Sequence, residues 1–336
     1  MMLSLGERIR AFRRAHWLFK AMLPFSAAYL SALKILGGLG GEHFILVALL
    51  VGFAVWSDGS RRWAKVVFPI LLYAGVYDSM RWYADYIRSP VIHIREPYDF
   101  DLRFFGIAAG SRVLTPPEWF QLHTHPVLDL ITGVAYFVAF FVGESIVLAL
   151  YLFGQGDQRR ALRFVWVFVV TNFLGFSLYY IYPAAPPWYV ADHGFALDMT
   201  VRASPAGALR FDQMVGLPLM AGFYGKSADV FGAVPSLHVA YPFLAAIYGW
   251  HLRRFRWIGV GYFLLVCFAA IYLNHHYLVD ILAGLAVSMV AMAAFRLAAG
   301  AVEAKGPLPS PEPALAPIPS RQADAQGPAI RSIAPQ

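Results

Sequence analysis

Two histidine-bearing stretches of the chain have the residue types for nucleophilic or acid–base chemistry: Val234-Pro235-Ser236-Leu237-His238 and Asn274-His275-His276-Tyr277-Leu278-Val279-Asp280. Read as a helix, the second puts His276 and Asp280 four residues apart on one face. Asp280 can then accept a hydrogen bond from one ring nitrogen of His276, which fixes the tautomer and leaves the other nitrogen free as a nucleophile or base. His238 opens a different helix, signalled by Pro235, and could protonate a leaving group as a general acid. Ser236 could cap that helix or donate to a phosphate oxygen. A third stretch, Tyr182-Pro183-Ala184-Ala185-Pro186-Pro187-Trp188-Tyr189, reads either as part of the same site or as a rigid proline turn with an aromatic anchor. A zinc site drawing on His238, His275, His276, Asp280 and His123 or His125 is disfavoured, because consecutive helical histidines point about 100° apart. Neither a metal nor a cofactor is expected.

The elements that must position these residues are apolar. Of 336 residues, 59% are hydrophobic and 14% charged, against about 25% charged in ordinary soluble domains. A soluble protein this poor in charge would expose large apolar patches. The apolar residues gather at roughly 21–38, 42–57, 64–86, 127–153, 163–182, 235–251, 256–274 and 277–299, and a bilayer crossing needs about 20 residues. The alternating short strands of an outer-membrane barrel are absent. The fold class expected is all-α, a polytopic membrane helical bundle of about eight transmembrane helices. The first two blocks are the least secure and could form a shallow hairpin.

The net charge of +7 does not form a nucleic-acid stripe. Basic residues cluster at Arg8–Lys20, Arg61–Lys65, Arg159–Arg163 and Arg253–Arg256, each beside a short connection where the positive-inside bias is informative. Eight spans place all four clusters and both termini on one side, the cytoplasm. The three motifs then share the outer face, with the long connections 87–126 and 183–234, which show no obvious helix pattern. Trp119, Phe120, Trp188, Tyr189, Phe211 and Tyr224 in those connections suit packing at headgroup level. The expected organisation is a basic cytoplasmic N-terminus over 1–20, two additional spans over 21–63, a catalytic transmembrane core over 64–302, and a disordered Pro/Ala-rich cytoplasmic tail over 303–336. The lone Cys267 allows no intrachain disulfide.

The PSLH and HHYLVD stretches resemble the motifs of the type 2 phosphatidic acid phosphatase superfamily. More narrowly, PAAPPWY, FGAVPSLH and HHYLVD resemble the inositol phosphorylceramide synthase branch of inositolphosphotransferases, over about residues 65–299. Asp78 and Arg81 in YDSMRWYAD, and YDFDLRFFG downstream, also look like this branch. The resemblance implies a six-helix phosphatase-type core behind two extra spans, and a metal-free reaction through a phosphohistidine. It makes His276 the nucleophile, Asp280 its orienting partner and His238 the acid on the leaving oxygen.

Two departures stand out. The superfamily's Ser-Arg pair ahead of the nucleophilic histidine is replaced by Ala269 and Ala270, and its basic first motif by the uncharged PAAPPWY. A transferring phosphoryl group still needs donors. Among Arg81, Arg88, Arg95, Arg103, Arg202, Arg210 and Lys226, the position of Arg81 at a span end and of Lys226 near PSLH favours those two. Ser236, His275, Tyr277, Pro187 and Trp188 complete the expected substrate-binding set.

Three functions follow in order: a lipid phosphotransferase moving an inositol-phosphate-type headgroup to a hydroxyl, a lipid phosphate phosphatase using the same histidines, and a non-enzymatic transporter. The last suits the sequence least, because a transport site belongs near the midplane. The expected partners are lipids and a membrane, with no nucleic acid. The expected location is a multi-pass plasma (inner) membrane, with the active site on the outer or periplasmic face.

Overall fold

A computed structural model describes Gly6 and residues 17–35, 37–55, 58–225, 229–253 and 255–304. The remainder of the expected N-terminal lead-in and of the 303–336 tail lies outside the described residues, as do Lys226 and the side chain of Arg81. One compact unit ends at Phe295; a second, Arg296–Gln336, is described only where the last helix continues to Ala304.

The chain is mostly helical. In order come α1 (Trp17–Ile35), α2 (Gly41–Val55), α3 (Asp58–Ile87), α4 (Arg95–Phe105), a hairpin of β1 (Ile107–Ala109) and β2 (Arg112–Leu114), α5 (Pro116–Leu122), α6 (Pro126–Tyr136), α7 (Val138–Gly154) and α8 (Gln158–Ile181). There follow α9 (Pro187–His193), a 3-10 turn (Ala206–Ala208), α10 (Leu209–Val215), α11 (Leu219–Tyr224), α12 (Leu237–Gly249), α13 (Arg256–Tyr272) and α14 (Leu278–Ala304). Among the described residues, α8 and the Leu278–Ala298 part of α14 are long and apolar enough to cross a membrane. Six further apolar helices are shorter. Helix α3 has the length, but Arg61, Arg62, Lys65, Asp78, Arg81 and Asp85 dilute its apolar character.

Helix α12 is the hub. It packs on α7, α8 and α13, so His238 at its first turn is fixed by three neighbours. Tyr73, Phe168, Phe176 and Tyr241 form an aromatic cluster joining α3, α8 and α12.

The block expected as one span over 127–153 is instead broken at Phe137, whose ψ of 128° is extended. A break frees last-turn carbonyls that must find donors. The Tyr262 hydroxyl donates to the Ala135 carbonyl at 2.9 Å, and the bend points the buried Tyr136 at the histidines.

The connections 87–126 and 183–234, expected without helices, hold short helical elements and the small hairpin, a departure from an all-α fold. Thr115 and Glu118 form a reciprocal capping box on α5 with Pro116 at its first position. Asp212 accepts the Met220 and Ala221 amides ahead of Tyr224. Such elements are too short to show a hydrophobic period in the sequence.

Candidate active site

Backbone hydrogen bonds stitch the three motifs together. Ala184 donates to Phe231 O at 2.7 Å, and Ala233 donates to Ala184 O at 3.2 Å. Trp188 N reaches Asn274 O at 3.1 Å, and Ser236 N reaches Asp280 O at 2.9 Å. Each motif thus supplies an acceptor or donor that another leaves open.

Within this frame His276 Nδ1 lies 3.2 Å from Asp280 Oδ2, and His276 Nε2 lies 3.2 Å from His238 Nδ1. The same Asp280 oxygen accepts the Tyr277 amide at 2.9 Å. A carboxylate on Nδ1 leaves Nε2 with its lone pair toward His238, the arrangement a nucleophile needs. The contact expected from spacing is present, but its cause differs. Helix α14 begins at Leu278, so His275 and His276 lie in the turn before it, which Asn274 enters with φ +63°. Both amides donate to Ala270 O at 3.0 Å, one of the positions where the resemblance departs. The helical 100° separation therefore does not apply. His275 points elsewhere all the same: its Nε2 lies 3.1 Å from Pro205 O, and its ring is stacked between Tyr136 and Tyr224.

Two supports sit behind the histidines. Asp101 is fully buried, and its two oxygens accept the amides of Leu278 (2.8 Å) and Val279 (3.0 Å), capping α14 from a segment 177 residues away. Burial pushes the Asp101 carboxyl up to about 6, the two amides opposing. Gly284, one turn past Asp280, lies so close to Ser236 that a Cβ would run into the Ser236 carbonyl. That close approach is what permits the backbone bond between Ser236 and Asp280.

A cavity of about 630 Å³ opens beside the pair. Its polar end is formed by His238, His275, His276 and Ser204, with Trp188 and Tyr224. Its apolar end runs between α3 and α7 past Tyr77, Met80, Val142 and Ile146. Such a vessel suits a lipid: a phosphoryl group at the histidines and a chain below. Of the expected substrate-binding residues, His275 and Trp188 are on the wall. Ser236, Tyr277 and Pro187 are buried behind it, and the Ser236 hydroxyl makes neither the cap nor any other hydrogen bond.

Among the described residues no Lys or Arg lines this cavity. Arg88 pairs with Asp229 at 2.6 Å, and burial raises the Asp229 carboxyl against the pull of that guanidinium. Arg210 pairs with Asp129 at 2.6 Å and reaches Gln121 Oε1 at 3.0 Å. Arg95 lies over the Phe195 ring and Arg103 over that of Phe104, while Arg202 is exposed. The Arg210–Asp129 pair also holds Tyr272, whose hydroxyl donates to Asp129 at 2.9 Å, and so braces the helix end just before the histidine turn. Sequence reasoning missed Asp101, Asp129 and Tyr136; the YDFDLRFFG stretch was the one signal that touched any of them.

The PAP2 superfamily model matches residues 111–294. The chain is 33% identical over 257 residues to the phosphoinositol dihydroceramide synthase of Bacteroides thetaiotaomicron, covering 75% of this chain and 83% of that protein. It is 32% identical over 249 residues to the inositol phosphorylceramide synthase catalytic subunit of Schizosaccharomyces pombe, covering 73% and 56%. With the inositol phosphorylceramide synthase of Candida albicans the identity is 31% over 169 residues, covering 49% and 36%. The chain thus spans only about half or less of these two fungal relatives. No solved structure matches.

Proposed function

The chain belongs to the PAP2 superfamily, and from that premise we propose that it is an integral-membrane lipid phosphotransferase carrying phosphoinositol from a phospholipid to a ceramide-type alcohol. The observation that carries this reading is the relay Asp280–His276–His238 at the polar end of a lipid-sized cavity. The names of the similar synthases supply the headgroup and the receiving alcohol.

In this reading the reaction runs in two displacements. His276 Nε2 attacks phosphorus, the P–O bond to diacylglycerol breaks, and His238, entering as the imidazolium, gives its proton to the leaving oxygen and becomes neutral. The receiving hydroxyl then attacks the phosphohistidine, its proton passes to His238, and the N–P bond breaks. Atoms and charge balance without an outside reagent. Asp280 holds the Nδ1 proton throughout and stabilises the charge that develops on the ring. In this reading the eight helices α1–α3, α7, α8 and α12–α14 each cross the bilayer, α6 extends the α7 span, the termini are cytoplasmic and the histidines face outward.

The test is incubation of purified protein with labelled phosphatidylinositol and ceramide. Inositol-phosphate-bearing sphingolipid and diacylglycerol should appear together. Free inositol phosphate with no new sphingolipid would replace transfer by hydrolysis, with water in the place of the alcohol.

A further inference from the structure

Tyr241 follows His238 by three residues on α12, so it shares that face about 4.5 Å deeper in the bundle. Its hydroxyl lies 3.2 Å from that of Tyr73 on α3, and both tyrosines line the cavity that holds the histidines. Polar groups this deep in an apolar slot are costly unless satisfied, and the direction of the three bonds linking Tyr73, Tyr241, Asn172 and Phe168 can be deduced. The Asn172 side chain lies 2.8 Å from the Phe168 carbonyl, which can only accept, so the Asn172 NH₂ points there. Asn172 Oδ1 is therefore the atom 2.5 Å from the Tyr241 hydroxyl, and it too can only accept. Tyr241 has one proton and spends it on Asn172. The contact between the phenols then requires Tyr73 to donate to Tyr241.

The relay thus runs Tyr73 to Tyr241 to Asn172 and leaves the Tyr73 oxygen as a pure acceptor on the cavity wall. We propose that Tyr73 Oη selects the receiving alcohol by accepting a hydrogen bond from a second donor near its reacting hydroxyl, an amide N–H or a neighbouring hydroxyl. This rests on the transferase reading above and assigns Tyr73 as the residue that sets its substrate preference. A ceramide-type lipid carries both donors beside the carbon that bears the reacting hydroxyl. Diacylglycerol has a free hydroxyl of similar reach but only ester oxygens next to it. Those would face the Tyr73 lone pairs, acceptor against acceptor. A site built to bind a donor discriminates most strongly against the analogue that lacks it.

The experiment measures phosphoinositol transfer from phosphatidylinositol to labelled ceramide and to labelled diacylglycerol of matched chain length, taking the ratio of the two kcat/KM values. Tyr73→Phe keeps the ring against Phe168 and Phe176 but removes the acceptor, and should lower the ratio by about 10- to 100-fold. Tyr241→Phe takes away the group to which Tyr73 donates, freeing the Tyr73 proton for an ester oxygen, and should lower the ratio by raising the diacylglycerol rate. It answers the question independently if Tyr73→Phe does not accumulate as folded protein. A ratio unchanged in both variants, with the wild type still active on ceramide, overturns the assignment of Tyr73 and leaves the transferase reading standing. A wild type that transfers to neither alcohol sinks the transferase reading and this inference with it.

Discussion

His238 Nδ1 and His276 Nε2 are hydrogen-bonded to one another at 3.2 Å, so the two groups that the proposed mechanism sets on either side of a phosphorus atom are in direct contact. A nucleophile stands about 3–3.5 Å from the atom it attacks, and an acid about 2.6–3.2 Å from the leaving oxygen beyond it. On that mechanism the two nitrogens must part when a phospholipid binds. His276→Ala should abolish formation of a phosphoenzyme from labelled donor. His238→Ala should be slow with a natural lipid donor yet partly rescued by a nitrophenyl ester, which leaves without a proton. Equal loss on both donors would remove His238 from the acid role.

Asp280→Asn should fold and still turn over far more slowly, because an amide can hold the imidazole in the wrong tautomer. The corresponding change in the serine protease triad costs roughly 10⁴-fold in kcat. A variant within about threefold of wild type, by the sphingolipid assay, would refute the orienting role of the carboxylate.

The raised carboxyl of Asp101 makes a pH signature. Its proton-linked contribution to stability is fully present below the unfolded value of 3.8 and is lost as pH rises through about 6. Over that window the folded state binds more protons than the unfolded one, so this contribution falls as pH rises. Melting of wild type and Asp101→Asn in detergent between pH 4 and 7 should show the wild type losing stability relative to the variant. Parallel curves would mean that Asp101 titrates normally. Asp101→Ala, by uncapping α14, should cost about 1–2 kcal/mol.

Much of the site could be read from the chain, and the reasons for the shortfall are physical. His238, His276 and Asp280 sit in short motifs, and the structure brings them within hydrogen-bond reach of one another. Helix α6 was invisible as a separate piece because Phe137, which ends it, is as apolar as its neighbours. The Asp101 cap joins positions 177 residues apart, and no local period reports such a bond. The turn before α14 was read as helix because spacing alone cannot separate a helical pair at four residues from a carboxylate that closes back onto a turn. Arg210 was one of seven basic candidates; only the placement of Asp129 assigns it to the frame.

Gly284→Ala should be severe although it adds one methyl group. The new Cβ must displace the Ser236 carbonyl, which moves the start of α12 and His238 with it. Transfer is expected to fall about 100-fold or more, in line with a misplacement of about 1 Å at a reacting group. Activity near wild type would show that α12 and α14 can part without cost.

Transfer should continue in the presence of a strong chelator, since the relay supplies its own nucleophile. Loss of activity with chelator and recovery on adding zinc or magnesium would reverse that expectation.

Membrane sidedness is open to direct test. In a Cys267→Ala background, cysteines at Ser111 in the hairpin turn and at Asp192 on α9, both exposed, should react with an impermeant thiol reagent from outside intact cells. Arg159→Cys should not. Labelling at Arg159 from outside would invert the orientation and move the histidines to the cytoplasmic face.

Asp101 also bears on the direction from which lipids travel. Lifting α4 would pull the Asp101 carboxylate off the amides of Leu278 and Val279 and uncap the helix that carries Asp280. In the proposed function that tie favours passage of lipid along the flank between α3 and α7, where the cavity wall is apolar. For the transferase proposed above, donor, product and receiving alcohol would then share that flank, diacylglycerol would leave before the second lipid comes in, and turnover would proceed by substitution, one lipid at a time.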